Sequence, residues 1–536
     1  MRRRLCAGLL LIVCPVLAWS APADDSRKVV AATPANTIAA SDTLDDANAL
    51  FRKGDFEHAI LKYRQILQAT PAAGEAWAGL IRVYLKQKDV KQASETAEQA
   101  RMAADSPPVR VALGEVYFRQ GRIHDAEVEW VQVIKAGHPE ARAYLGLGIV
   151  RQVISKYKSA REMITEAYRL DPADPEIHGE YAETLSRGER IKYLDKYLGG
   201  ENNEDAETLK QMRQYLAYLK ARERNAGDRC RLVGAFTGTE TPLVPLLLDP
   251  THLRGFGLHV LVNDAKSKLL LDSGASGILI NRRLAEKAGV TKLSDSAIRG
   301  IGDNGDQSGY TALAASLKMG GMEFQNCTVR VIDKRSVVNE DGLIGPDVFA
   351  RFLVDIDYPN RKLRLSELPT RPQEDATPIA LESDRDDGPN PRTQDRYIAP
   401  EMQSYTPIYR FGHDLLIPTS IGEGPGKLFL LDTGGFRNLI SIRAAAEVTK
   451  VRSDPSTRIR GISGEVKKIY SADKADLRFG NLRQDNLDVT AFDLKPLSDD
   501  LGTEVSGILG FTTLILLDFK IDYRDGLVQL TYDHNR

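Results

Sequence analysis

Cysteine is scarce in this 536-residue chain, with four in all. Cys6 and Cys14 fall in the first twenty residues, which leaves Cys230 and Cys327 for at most one disulfide. No two cysteines stand close enough to begin a zinc site. Histidine is also rare, at eight, and its positions are scattered. His252 and His259 share only a β-like stretch and read as surface or packing residues. The chain lacks the HExxH helix of zinc peptidases, the GxSxG elbow of serine hydrolases and the GxxxxGK[ST] loop of nucleotide-binding proteins. No apolar run reaches the roughly 20 residues that span a bilayer. The formal net charge is −2, without the basic excess that nucleic acid demands. Metal, cofactor, nucleic acid and stable membrane insertion are therefore not expected.

Hydrophobic residues make up 42% and charged residues 27%, an ordinary globular balance. The length calls for several cores. Arg2, Arg3 and Arg4 precede an apolar stretch from Leu5 to Val16, and small residues follow at Ala18, Ser20 and Ala21. This pattern predicts a secretory signal over 1–20. Val13 before Cys14 and Pro15 after it argue against lipidation. Residues 21–42 lack apolar periodicity and read as a flexible leader. The expected destination is the periplasm or the exterior, where Cys230 and Cys327 can pair.

From 43 to 222 the pattern is helical. Ala59, Ala93, Ala126 and Ala160 recur at steps of 34, 33 and 34. Ile66, Ala100, Val133 and Ala167 follow seven residues behind them. Leu80, Leu113 and Leu147 share another position, and Pro71, Pro139 and Pro172 close three of the units. A small residue at each repeat lets two helices cross closely, and proline ends a helix for want of an amide hydrogen. The spacing resembles tetratricopeptide repeats over about 43–175. Residues 176–222 read as a degenerate repeat or a capping helix. The resemblance implies a surface for a peptide or protein partner.

After 230 the texture becomes all-β, with short β-branched and leucine-rich runs between Gly, Asp and Asn turns. Two units, 230–365 and 405–536, flank a polar linker at 366–404. LLLDSGASGILI (269–280) matches LFLLDTGGFRNLI (428–440), and IRGI at 298–301 matches IRGI at 459–462. GLIG at 342–345 matches GILG at 507–510, and DIDY at 355–358 matches KIDY at 520–523. The offsets are 160, 161, 165 and 165, so the region is an internal duplication. Asp357 and Asp522 match between the halves and read as solvated edge or turn residues.

Each half carries an apolar strand followed by Asp-Ser/Thr-Gly: Asp272-Ser273-Gly274 and Asp432-Thr433-Gly434. Each later carries an apolar-apolar-Gly element, Leu343-Ile344-Gly345 and Ile508-Leu509-Gly510. With these residues the region resembles aspartic proteases of the pepsin and retropepsin type. The resemblance implies a bilobal β fold behind the helical solenoid, with catalytic Asp272 and Asp432 facing each other between lobes. It implies that Ser273 and Thr433 brace the loops, that Gly274 and Gly434 permit close approach, and that Gly345 and Gly510 lie in supports beneath them. It also implies a flap, for which Gly302, Gly305, Gly461 and Gly464 fall in the right interval. The expected activity is hydrolysis of a peptide or unfolded protein, with the repeats recruiting substrate or partner. The competing reading is an inert binding scaffold on the same fold. The second motif departs from the family at Gly435-Phe436-Arg437, and a cation at Arg437 beside the dyad would lower its carboxylate pKa values.

Overall fold

The computed structural model describes residues 38–200, 206–225, 230–234, 238–334, 340–372 and 394–532. The predicted signal, most of the leader and residues 373–393 of the linker lie outside them. Helix begins at Ile38, inside the stretch read as leader. Helical pairs then run to Asn225. Ala59, Ala93 and Ala126 are fully buried and Ala160 nearly so, each at a helix crossing. The facing helix also needs a small residue. A Cβ on Gly79 would stand 2.3 Å from the Tyr63 ring, one on Gly114 2.5 Å from Trp130, and one on Gly148 2.5 Å from Ile164. Asp55 and Asp89 cap their helices by accepting the amides of His58 and Gln92, an arrangement worth about 1 kcal/mol each. Beyond the repeats come the helices Pro175–Thr184, Arg187–Gly199 and Ala206–Asn225. No helix among the described residues is long and apolar enough to cross a membrane.

The β region has two lobes with matching wiring. In the first, strand Ala265–Leu271 runs parallel to Gly342–Ile344, and in the second Gly426–Asp432 runs parallel to Gly507–Gly510. The ends of these strands, Leu269–Leu271 and Leu428–Asp432, are buried on both faces and lack the alternation that Ala265–Lys268 still shows. A six-stranded sheet joins the lobes. At its centre Phe352–Asp357 of the first lobe pairs antiparallel with Leu517–Asp522 of the second, Leu353 opposite Asp522 and Asp357 opposite Asp518. Asp357 and Asp522 are therefore not solvated, being 5% and 0% exposed. They do build turns: Asp357 accepts the amide of Asn360 and Asp522 that of Asp525, both at 3.0 Å. What the strand pattern could not reveal is that the lobes share a sheet across these residues.

Cys230 and Cys327 form a disulfide across 97 residues, a loop for which chain entropy predicts about 4–5 kcal/mol of stabilisation. The second lobe and the repeats share one apolar core. Val111, Trp130 and Leu147 from the helices pack in a cluster with Phe411, Leu428 and Leu430 from the lobe. The Thr503 hydroxyl donates to the Phe118 carbonyl at 2.7 Å.

Candidate active site

Both Asp-Ser/Thr-Gly loops leave the end of a buried strand, and the pseudo-symmetry turns them toward each other. The Ser273 amide donates to Thr433 Oγ1 at 2.9 Å, and the Thr433 amide donates to Ser273 Oγ at 3.0 Å. Each hydroxyl donates in turn to a carbonyl of the opposite strand: Ser273 to Leu431 at 2.8 Å and Thr433 to Leu271 at 3.0 Å. Both side chains are 1% exposed, so four buried polar links fix the two loops as one unit. The supports lie directly behind. The Asp272 amide donates to the Ile344 carbonyl at 3.0 Å and the Gly345 amide to the Gly277 carbonyl at 2.8 Å. A Cβ on Gly345 would lie 2.2 Å from the Ala275 carbonyl oxygen, and one on Gly510 2.3 Å from that of Arg437. Only glycine fits either place.

Asp272 and Asp432 are thereby brought together, each against the other loop's glycine. Asp432 is 6% exposed. Asp272 Oδ1 accepts one amide, from Gly274 at 2.9 Å. Asp432 Oδ1 accepts two, from Gly434 and Gly435, both at 2.9 Å. Burial raises the Asp272 carboxyl well above the usual aspartate range, and the neighbouring Asp432 adds to the rise. Burial also raises Asp432, but its amide donors work against that. Two carboxyls this close cannot both ionise cheaply. The extra donor favours the charge on Asp432 over Asp272.

The cation that acts on the pair is not Arg437. Its guanidinium lies 5.9 Å from the Phe436 ring centroid, and Phe436 is 46% exposed. Arg254, in strand His252–Val262, acts on both carboxyls and favours their charged forms. Its Nε is buried without a hydrogen-bond partner. Sequence reasoning missed Arg254, whose only signal is an arginine in a largely apolar strand. It also missed the packing role of Tyr358, the end of the DIDY landmark. That ring is 2% exposed and meets Phe511 edge-on at 5.9 Å.

The four candidate flap glycines lie in two hairpin tips that meet each other. A Cβ on Gly302 would stand 2.4 Å from the Ser463 carbonyl carbon, and one on Gly461 2.3 Å from the Ile301 oxygen. Gly464 lies against Asn304, while Gly305 is in open space and uses its left-handed φ of +66° to turn the chain. The Ser463 amide donates to Ile301 at 3.0 Å and the Asn304 amide to Ser463 at 2.8 Å. Ile462, at the second tip, packs in the same apolar cluster as Ala275, the residue after Gly274. The second lobe's hairpin thus packs on the first lobe's apolar core.

Comparison with known proteins matches the sequence of these regions to families. Residues 258–348 and 417–513 match the aspartyl protease family. Residues 50–107 and 111–175 match tetratricopeptide repeats. Among characterised proteins, the UBA domain-containing protein Mud1 of Schizosaccharomyces pombe is 32% identical over 110 residues, covering 20% of this chain and 32% of that protein. The type IV pilus assembly protein PilF of Pseudomonas aeruginosa is 27% identical over 161 residues, covering 28% of this chain and 64% of that protein. The chain therefore spans less than two thirds of the length of either relative. Among solved structures, PilF of Pseudomonas aeruginosa aligns over 36% of this chain and 94% of its own, at 20% identity and a TM-score of 0.25. A thermophilic tetratricopeptide-repeat protein of Thermus thermophilus aligns over 34% and 98%, at 20% identity and a TM-score of 0.28. The β region of this chain is a duplicated, retropepsin-like domain of the aspartyl protease family, carried behind an array of tetratricopeptide repeats.

Proposed function

We propose that the chain is an aspartic endopeptidase in which Asp272 and Asp432 form one dyad. The observation that carries this reading is the reciprocal brace of Ser273 and Thr433, which holds a buried and a half-buried carboxyl together with unequal amide support. In the proposed reaction a water lies between them. Asp432, ionised, takes a proton from the water as its oxygen bonds to the scissile carbonyl carbon. Asp272, protonated, donates to the carbonyl oxygen and stabilises the tetrahedral intermediate. A proton then passes to the amide nitrogen, the carbon–nitrogen bond breaks, and acid and amine leave. The substrate is an unfolded segment or peptide held extended, since hairpin tips and strand edges pair with an extended backbone. The helical array recruits substrate or a protein partner. The predicted signal and the Cys230–Cys327 disulfide favour work in the periplasm or outside the cell.

A fluorogenic peptide assayed over about pH 3–8 tests this reading, since a dyad sharing one proton gives a bell-shaped profile. Asp432→Asn should remove the activity at every pH. No cleavage at any pH would favour the inert scaffold, and a rate that is flat with pH or unchanged in that variant would contradict the dyad.

A further inference from the structure

The two lobes match at the dyad and diverge immediately after it. In the first lobe Gly274 is followed by Ala275, Ser276 and Gly277, whereas in the second Gly434 is followed by Gly435, Phe436 and Arg437. The first loop is small and closed on itself. The Ser276 hydroxyl donates to Asp347 Oδ2 at 3.2 Å, and the Gly277 amide donates to Asp347 Oδ1 at 2.9 Å. Arg330 Nη2 donates to the Ser276 carbonyl at 2.6 Å. A buried carboxylate and a guanidinium thus both serve the fold of that loop.

The second loop is held without charge. Where the first lobe has Asp347, the second has Thr512, at the same offset of 165 as the supports. The Phe511 amide donates to the Gly435 carbonyl at 2.7 Å and the Thr512 amide to the Phe436 carbonyl at 3.0 Å. The buried Asn438 side chain accepts from the Gly510 amide at 2.9 Å and the Thr513 hydroxyl at 2.8 Å, and donates to Gln484 and Asn486, both at 3.0 Å. This neutral network fixes the backbone and leaves Phe436 and Arg437 exposed. Among the described residues the Arg437 guanidinium makes no ion pair or hydrogen bond, and its neighbour is the Phe436 ring. Arg254 differs, because its charge already acts on Asp272, Glu340 and Asp432. The exposed pair also stands next to the chemistry: a Cβ on Gly435, the residue before Phe436, would lie 2.8 Å from Asp432 Oδ2.

We propose that Phe436 and Arg437 form a one-sided subsite that selects peptide segments carrying an acidic side chain to one side of the scissile bond. The planar guanidinium takes the carboxylate through paired N–H donors, and the Phe436 ring covers the methylene stem that carries it. An extended substrate advances about 3.3 Å per residue, so an acidic residue about two to four positions from the scissile bond comes level with this rim. The first lobe offers Ser276 and Gly277 at the matching place, so the other side of the bond carries no such preference. The effect on cleavage rests on the proteolytic reading above, whereas capture of the acidic segment does not.

The test uses the full chain and a set of dodecapeptides with Leu-Phe at the centre, in which a single Asp or Lys moves along otherwise Ala and Ser positions. Mass spectrometry of the products places each charge relative to the cleaved bond. Asp should be preferred to Lys by about fivefold in kcat/KM on one side of the bond and not on the other. Arg437→Gln should erase the preference and Arg437→Glu should reverse it at the same position, which loss of a merely structural residue would not do. Equal cleavage of the Asp and Lys peptides, a preference on both sides, or one that survives Arg437→Glu overturns this inference and leaves the proteolytic reading standing. If no peptide is cleaved, the same peptides labelled with fluorescein are titrated by anisotropy. Tighter binding of Asp than of Lys peptides, reversed in Arg437→Glu, would then overturn only the proteolytic reading, and absence of binding would overturn both.

Discussion

Gly434 of the second lobe lies flat against the Asp272 carboxyl of the first: a Cβ there would stand 2.3 Å from Cγ and 2.4 Å from either oxygen. The relation is reciprocal but looser, since a Cβ on Gly274 would stand 2.9 Å from Asp432 Cγ. Backbone and carboxyl from opposite lobes thus share a space that admits no side chain. Gly434→Ala should displace Asp272 and lower kcat by about a hundredfold, the size expected for a misplacement near 1 Å. Circular dichroism should show the fold retained. Gly274→Ala should cost less. An alanine at 434 with unchanged kcat would mean that the loop spacing does not matter to the chemistry.

The inter-lobe sheet carries a pH dependence of its own. Burial raises Asp522 to about 7, with Asp525 adding to the rise. The folded state therefore holds a proton that the unfolded chain, with an ordinary aspartate near 4, gives up earlier. Between about pH 4 and 7 the folded state binds more protons, so stability falls as pH rises through that window. Asp522→Asn should remove this loss. Its Tm relative to the wild type should be higher at pH 8 than at pH 4, and a difference that does not change with pH would contradict the account.

Arg254 acts on both dyad carboxyls and favours their charged forms. Replacing it with glutamine should raise the pKa values of both dyad ionisations. The acid limb of the activity profile should move to higher pH in Arg254→Gln, with a smaller effect on thermal stability than on the position of that limb. A profile that keeps its limbs while the protein loses stability would make Arg254 a packing residue.

The repeats are a structural partner of the second lobe. Phe411, Leu428 and Leu430 pack in the cluster that holds Val111, Trp130 and Leu147. Each such side chain, left exposed, forfeits about 1.5–3 kcal/mol. A chain cut to 225–536 should therefore aggregate or melt well below the intact protein. A soluble truncated chain with the wild-type Tm would show that the shared core contributes nothing.

Much of this was readable in the residues. The alanine steps of 34, 33 and 34 marked the helix crossings because close packing admits only small side chains there. The two Asp-Ser/Thr-Gly motifs and their supports marked the loops because a tight, buried turn limits residue choice so narrowly. Other features had no local signature. Asp357 and Asp522 looked solvated because an alternating strand before a turn reads alike at an edge and at a sheet centre. Arg437 looked like the dyad's cation because it is near in sequence, whereas Arg254 comes near it by folding of its strand. The docking of the second lobe against the repeats depends on surfaces hundreds of residues apart, which no periodicity records.

If the two lobes share one dyad, neither aspartate works alone. Cleavage of a reduced, unfolded protein should be compared among the wild type, Asp272→Asn, Asp432→Asn and the double variant, at the pH of highest activity. Each single change should abolish cleavage and the double variant should be no worse than either, because residues acting as one unit are not additive. Cleavage surviving in either single variant, or a wild type inert under all conditions, would contradict it.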